Sequence, residues 1–368
     1  MKLSVPTAGL LAQLGSVARV ASTRSAVQAL SGVQLLAAEG RVELRATDME
    51  VGLRVPLDAE VERDGSVVLP ARLLLDVVRA LPAGQATLEV RPSEGDVLLV
   101  SGSATFALRT LRGEDFPPFP EPSGDAVRLP AGAFVATVAK VARAASRDET
   151  RPILTGILVD AAGSALRMVA TDSYRLSVQE TRLEAPLEGE FNANVPARAL
   201  QELARLAQGA EGGELAVSRQ ANQVVFDVDG VVLSSRLIEG QFPNYRQLLP
   251  EAYEHELTLA ADEVRDVARR ISLLAQKNAP LRLRFAEGEL TVSAQTPDVG
   301  EARETLPVPF AGEPFEIGFN PDFLRDGLES IDASDVRLKL ISPLRPGLLE
   351  AGDDSGFLYL IMPIRLNV

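Results

Sequence analysis

Two aspartates stand out as residues that could do chemistry. Asp48 lies in Ala46-Thr47-Asp48-Met49, and Asp172 lies in Ala170-Thr171-Asp172-Ser173. Carboxylates of this kind could hold a divalent metal and make the chain a hydrolase. A simpler reading is available, because an Asp that follows an apolar run closes an Asx-type turn. His255 is the single histidine and stands among acids in Tyr253-Glu254-His255-Glu256, the setting of a solvated side chain. One such histidine cannot assemble a Ser-His-Asp set, and no glycine-rich phosphate loop follows a strand-like run. The chain has no cysteine, which removes disulfides, thiolate metal sites and a cysteine nucleophile. No catalytic residue, metal or cofactor is expected, and a binding or scaffold protein is favoured over an enzyme.

The elements that carry these aspartates repeat. Met168 to Ser177 reads as a strand, a tight turn and a second strand, and Leu44 to Leu53 is a weaker copy. Thr47 and Thr171 are 124 positions apart. A degraded third copy, Val292-Ser293-Ala294-Gln295-Thr296-Pro297-Asp298, follows 125 positions beyond Thr171. Pro6 and Pro130 share the period, as do Pro70, Pro196 and Pro321, and Phe116-Pro117 and Phe242-Pro243. One unit of about 125 residues is therefore used three times.

Helical spacing of apolar residues appears twice in each unit, over residues 7–22, 71–82, 130–147, 196–208, 260–277 and 320–331. Thr7 is expected as the cap of the first helix, and Asn320-Pro321 as cap and first turn of the last. Leu73, Leu74, Val77, Val78 and Leu81 are expected on one face of the second. Alternating strand-like runs with Asp-Gly and Glu-Gly turns fill the rest. Each unit thus reads as antiparallel sheet plus two helices, an α+β design. Domains are expected at 1–122, 123–250 and 251–368, with linkers near Pro117 to Val127 and Gln247 to Leu257.

The chain of 368 residues carries a net charge of −14, which taken whole argues against nucleic acid. The charge is uneven, however. The six helical segments together carry +6 and leave −20 for the strands and loops. Helices that share a surface could face phosphate while the remainder repels it. Apolar residues make up 46% of the chain, yet no run approaches a membrane span. Met1 to Pro6 has no apolar secretory region, so a cytoplasmic protein without membrane contact is expected.

The repeat, the paired helices and three segments resemble the bacterial β sliding clamp family. The segments are Ala170-Thr171-Asp172-Ser173-Tyr174-Arg175-Leu176, Glu239-Gly240-Gln241-Phe242-Pro243-Asn244-Tyr245-Arg246 and Met362-Pro363-Ile364-Arg365-Leu366. The resemblance covers the whole chain. It implies a DNA clamp fold of three repeated domains and a head-to-tail dimeric ring. In such a ring, helices face duplex DNA without reading its sequence, and the ring gives the replicative polymerase processivity.

The resemblance also implies partners and sites. The partners are duplex DNA, the DNA polymerase III alpha subunit, the clamp loader, and other polymerases and repair proteins that carry clamp-binding peptides. A hydrophobic cleft between domains two and three would take those peptides. It falls on Leu154, Thr171, Ser173, Tyr174, Arg175, Leu176, Pro243, Arg246, Leu344, Pro346, Leu360, Met362, Pro363, Ile364 and Arg365. DNA contact is expected at Arg24, Arg72, Arg79, Lys140, Arg143, Arg147, Arg151, Arg198 and Arg205. Some family members carry a tyrosine pair where this chain has Pro152 and Ile153. The dimer would pair Ala104-Thr105-Phe106-Ala107-Leu108 with a strand near 299–305, with Ile271, Leu273 and Leu274 packed on Phe106 and Leu108. The opposing reading is a repeat-built interaction scaffold that does not encircle DNA.

Overall fold

The computed structural model describes residues 1–22, 25–123, 125–208, 212–275, 279–352 and 355–366. Its six helices are α1 (Thr7–Val17), α2 (Ala71–Ala80), α3 (Ala131–Val141), α4 (Ala197–Leu206), α5 (Ala261–Ser272) and α6 (Pro321–Glu329). Each is shorter than its apolar spacing suggests. After α2, Leu81 turns extended because it precedes Pro82, whose ring disfavours helical backbone before it. After α3, the stripe continues through a single 3₁₀ turn, Ala142–Ala144. Leu73 is 48% exposed rather than part of the buried face of α2, which is Ala71, Leu74 and Val78.

Capping separates one expectation from the other. Asn320 accepts the backbone N–H groups of Asp322 and Phe323 at 2.9 and 3.1 Å, so it caps α6 as expected. Thr7 does not cap α1. The helix begins at Thr7 itself, with Pro6 in the cap position and no side-chain cap. The Thr7 hydroxyl instead lies 3.2 Å from the carbonyl oxygens of Pro82 and Gly84, which ties the start of α1 to the exit of α2.

The chain forms two compact units. The first is Met1–Gly132 with Arg205–Leu237, and the second is Ala133–Ala204 with Ile238–Val368. Each holds two antiparallel sheets. In the first unit a five-stranded sheet runs Glu60–Arg63, Lys2–Pro6, Gln85–Arg91, Asp96–Ser101, Ala104–Arg109. Beside it an eight-stranded sheet runs Val127–Pro130, Glu214–Gln220, Gln223–Val228, Val231–Arg236, Val51–Leu57, Arg41–Thr47, Gly32–Ala38, Gly65–Pro70.

The second unit repeats the plan. Its eight strands run Phe191–Pro196, Gly156–Ala162, Ala165–Thr171, Arg175–Arg182, Phe357–Ile361, Gly347–Ala351, Asp335–Leu340, His255–Ala260. Its four-stranded sheet runs Gly300–Pro307, Glu289–Thr296, Leu281–Ala286, Phe315–Phe319. Both eight-stranded sheets therefore join strands from two different repeats. The middle repeat gives four strands to each. The joins are Val232↔Arg54 to Ser235↔Val51 in one unit and Arg175↔Ile361 to Gln179↔Phe357 in the other.

Packing beneath the second join leaves no slack. A Cβ on Gly327 in α6 would sit 2.6 Å from the Tyr359 ring, which is buried. Gly327→Val should therefore lower stability by about 1–3 kcal/mol, as overpacking does. A urea midpoint equal to that of the unaltered chain would refute this account.

Candidate functional site

The turn that contains Asp172 is built by side-chain hydrogen bonds. The Thr171 hydroxyl donates to the carbonyl of Arg175 at 2.7 Å and accepts the N–H of Ser173 at 3.2 Å. Asp172 accepts the N–H groups of Tyr174 and Arg175 at 2.9 and 3.0 Å. Ser173 takes φ 80°, a left-handed conformation that the turn bonds hold in place. The first copy is the same. Thr47 donates to the Val51 carbonyl, Asp48 accepts from Glu50 and Val51, and Met49 has φ 76°. The third copy keeps only the left-handed residue, Asp298 at φ 64°; its Thr296 hydroxyl donates to Leu274. Asp48 and Asp172 are thus committed to turns. Among the described residues no cluster of three metal-ligating side chains forms.

Beside the Asp172 turn opens a cavity of about 630 Å³, wholly within the second unit. Leu176 and Leu360, paired across adjacent strands, form its floor. Thr171, Ser173, Arg175, Leu344, Pro346 and Met362 also line it, as do Gln247, Leu248, Leu249, Pro250, Glu251, Ala252, Ile341 and Arg345. Leu176 and Leu360 pack with Val169, Val178, Leu348 and Tyr245 as one apolar cluster. Around the opening Leu248, Leu344 and Met362 are 51%, 60% and 43% exposed, and Tyr174 is 59% exposed. Large apolar side chains exposed together, as here, are uncommon on a protein surface.

Some residues expected at this cavity lie elsewhere. Arg246 lines a neighbouring cavity, and its guanidinium lies 5.4 Å from the Tyr245 ring. Ile364 donates to the Gly318 carbonyl and pins the tail to the strand Phe315–Phe319. Leu154 is buried in a 3₁₀ turn, and Tyr174 holds Met362 through its carbonyl. Pro243, Pro363 and Arg365 do not line the cavity. The stretch Gln247 to Ala252 was missed because its turn-rich spelling reads as a linker.

Arg175 faces inward more than outward. Its side chain is 10% exposed and bonds Asp172 at 3.1 Å, Asp326 at 2.5 Å, the Tyr359 hydroxyl at 3.2 Å and the Arg143 carbonyl. It also stacks 4.3 Å from the Phe323 ring centroid. Burial alone would lower its pKa, but the contacts with Tyr359, Asp326 and Asp172 outweigh burial and raise it. Burial pushes the Tyr359 hydroxyl above its ordinary range, although Arg175 pulls the other way.

The basic residues divide into two groups. Arg72 and Arg147 are exposed, and Arg198 is exposed on α4 with the half-buried Arg205 two turns along the same face. Arg79 bonds Asp76 at 3.1 Å. Lys140 bonds the Ser330 carbonyl and Asp332, and Arg143 pairs with Glu329 and Asp326. Arg151 bonds Asp148 and the Ser173 hydroxyl at 3.0 and 3.2 Å. Arg24 lies outside the described residues. Arg19, Arg143 and Arg147 fall beyond the helix ends rather than on the helices, so the positive charge sits largely on turns that leave them.

Two of the sheet-edge strands lie where the dimer contact is expected. Ala104–Arg109 ends the five-stranded sheet, with Phe106 half-buried and Leu108 buried. Gly300–Pro307 ends the four-stranded sheet. Near it Leu273 is 79% exposed, while Ile271 is buried and Leu274 intermediate.

Comparison with known proteins now fits the geometry. Models of the DNA polymerase III beta subunit match in order: the N-terminal domain at residues 1–120, the central domain at 128–244 and the C-terminal domain at 246–365. The beta sliding clamp of Streptomyces coelicolor is 33% identical, with both chains covered in full. The chain belongs to the β sliding clamp family. The Vibrio cholerae clamp is 32% identical over the full length of both chains. Among solved structures, the Bacillus subtilis clamp matches with a TM-score of 0.92 at 26% identity, and all of both chains is covered. A Pseudomonas aeruginosa clamp bound to griselimycin matches at 0.89 and 29%, again over both chains in full. This is a sliding clamp for DNA polymerase III processivity, with the three-domain clamp fold.

Within the clamp, the repeat supplies a second, unlike copy of the cavity. Gly52 and Ser234 are paired in the first unit where Leu176 and Leu360 are paired in the second. Phe119 of the linker lies over Gly52, flanked by Arg45 and Arg54 at 5.9 and 5.8 Å. That cavity is only about 290 Å³ and is largely walled by Pro117, Pro118, Phe119 and Pro120.

Removing one acid from Arg175 should be costly, because a charge left in a dry site loses its compensation. Asp326→Ala should destabilise the second unit by roughly 3 kcal/mol. Tyr359→Phe, which deletes one neutral hydrogen bond, should cost about 1 kcal/mol. Equal costs in denaturant titrations would contradict this ranking.

Proposed function

We propose that the chain acts as a non-catalytic ring that encircles duplex DNA and holds clients by short peptides in the cavity beside Asp172. The observation that carries this reading is that cavity, with its leucine floor and its rim of exposed Leu248, Leu344 and Met362. Thioether and leucine surfaces adapt to several partners, which suits clients as different as polymerases, a loader and repair proteins. Leu154, Pro243, Arg246, Pro363, Ile364 and Arg365 would act at its margins. The three matched domains would serve as the repeated segments of the ring.

Duplex DNA would be met by Arg72, Arg79, Arg147, Arg198 and Arg205; Arg24, outside the described residues, is proposed with them from the sequence. Such contacts neutralise phosphates without reading bases. Arg79, Lys140, Arg143 and Arg151 each pair with an acid on the protein and would exchange that pair for phosphate. Ring closure would join the edge Ala104–Arg109 of one copy to Gly300–Pro307 of another, covering Phe106, Leu108, Leu273 and Leu274. Strand addition satisfies the open edge groups of both. Work on chromosomal DNA would place the protein in the cytoplasm.

The decisive experiment is retention on DNA of two topologies. Protein loaded on nicked circles should stay bound, and should be lost when the circle is linearised. Equal release from both forms would favour a scaffold that does not encircle DNA. Closure has its own check. Leu273→Asp should shift the dimer to monomer at low micromolar concentration in sedimentation, and Leu273 is exposed enough for the fold to survive. An unshifted dimer would remove this edge from the interface. Met362→Asp should weaken an apolar client peptide at least tenfold, on the order of the loss of one buried anchor contact.

A further inference from the structure

The sheet face that floors the peptide cavity changes character along its strands. Register places Thr171, Leu176, Leu360 and Leu348 in one cross-strand row. The next row on the same face is Val169, Val178, Leu358 and Glu350, with Arg337 beyond. One row further, Arg167 stands opposite Glu180, and Arg182 follows at the strand end. Apolar floor thus passes into charge within a few residues. The charged end is itself a groove of about 1020 Å³, on the other side of the 3₁₀ turn Tyr245–Leu248, and Leu249 lines both cavities.

The charges in this groove are not balanced. Arg167, Arg182, Arg246 and Arg337 line it against Glu180 and Glu350, on a chain whose net charge is −14. Arg167 is held by Glu180 and Asp160, and Arg337 by Glu350. Arg182 and Arg246 are exposed, and no carboxylate of the described residues holds either. Asp353 and Asp354 follow Gly352 in sequence and lie outside the described residues.

We propose that this groove is a second subsite for the same client peptides, which takes carboxylates lying beside their apolar anchors, with Arg182 and Arg246 as the recognising groups. The proposal rests on the client-peptide reading above. From Leu176 to Glu180 the strand advances four residues, roughly 13 Å at extended spacing. The turn Tyr245–Leu248 covers the row between, so a peptide anchored over Leu176 and Leu360 passes over it, and four spacer residues with a short acidic run, about 23 Å when extended, span the distance. Guanidinium groups suit carboxylates because their fork of donors matches the two oxygens. The apolar cavity would fix the peptide, and the groove would select among peptides of similar apolar content.

The test uses fluorescent peptides and the full-length protein. One peptide carries only a leucine and phenylalanine anchor. Two others add three aspartates, before or after the anchor, through a four-residue Gly-Ser spacer. One tailed peptide should bind at least about threefold tighter than the anchor alone in 50 mM salt, the scale of exposed charge contacts. That advantage should vanish in Arg182→Glu and in 300 mM salt, while the anchor-only affinity stays the same. If neither tail adds affinity, or if Arg182→Glu keeps the advantage, the subsite is wrong and the peptide cavity stands. If even the anchor fails to bind, the client-peptide reading falls and the subsite with it. If labelled dT12 binds the unaltered protein and not Arg182→Glu while the tails add nothing, the groove belongs to nucleic acid and the proposal is overturned.

Discussion

Everything around the cavity beside Asp172 depends on one strand being paired on both sides. Arg175–Arg182 bonds Ala165–Thr171 of its own repeat and Phe357–Ile361 of the next. From Leu176 to Gln179 it is paired on both sides, which fixes the side chains of that stretch in position. Leu176 meets Leu360 only because that register holds. A slip of either strand by one residue would turn its leucine to the opposite face and set Ser177 against Leu360, or Ile361 against Leu176. The cavity is therefore a property of a junction, and neither repeat contains it alone.

Arg175 secures the same junction from the other face. Its guanidinium gathers the Asp172 turn, the end of α3 through the Arg143 carbonyl, α6 through Asp326, and the final strand through Tyr359. A lysine could not replace it, because one ammonium cannot form this fork of bonds and stack on Phe323 as well. Arg151 adds a second tie to the turn through Ser173. The lip of the cavity and the exit of α3 are thus parts of one bonded assembly.

Much of this was legible in the sequence because it is local. The Thr-Asp turns and the Asn320 cap each depend on residues within a few positions of one another, and the period shows because such local signals recur about 125 residues apart. The exact helix ends were not, since apolar spacing runs on through 3₁₀ turns such as Ala142–Ala144. Thr7 looked like a cap, yet Pro6 already supplies the extended residue before α1. The joining of two repeats into one sheet is written in no local signal. Nor are the partners of Arg175, which lie 151 positions away at Asp326 and 184 away at Tyr359. The wall from Leu248 to Ala252 escaped notice because a proline-containing apolar stretch between elements spells a linker equally well.

The two open edges bear on the life of the chain before it has any partner. A free strand edge is a template for indiscriminate pairing, and newly made copies meet one another at random. Gly300–Pro307 answers this hazard in its own spelling. Glu301, Arg303 and Glu304 interrupt it with charge, and Gly300 and Pro307 bound it. Ala104–Arg109 has less protection, with Phe106 half-buried and only Arg109 charged. The two edges are therefore unequal in risk, and the milder one can accept the stickier one without pairing readily to itself. Solubility during synthesis and choice of mate would then be settled by the same few side chains.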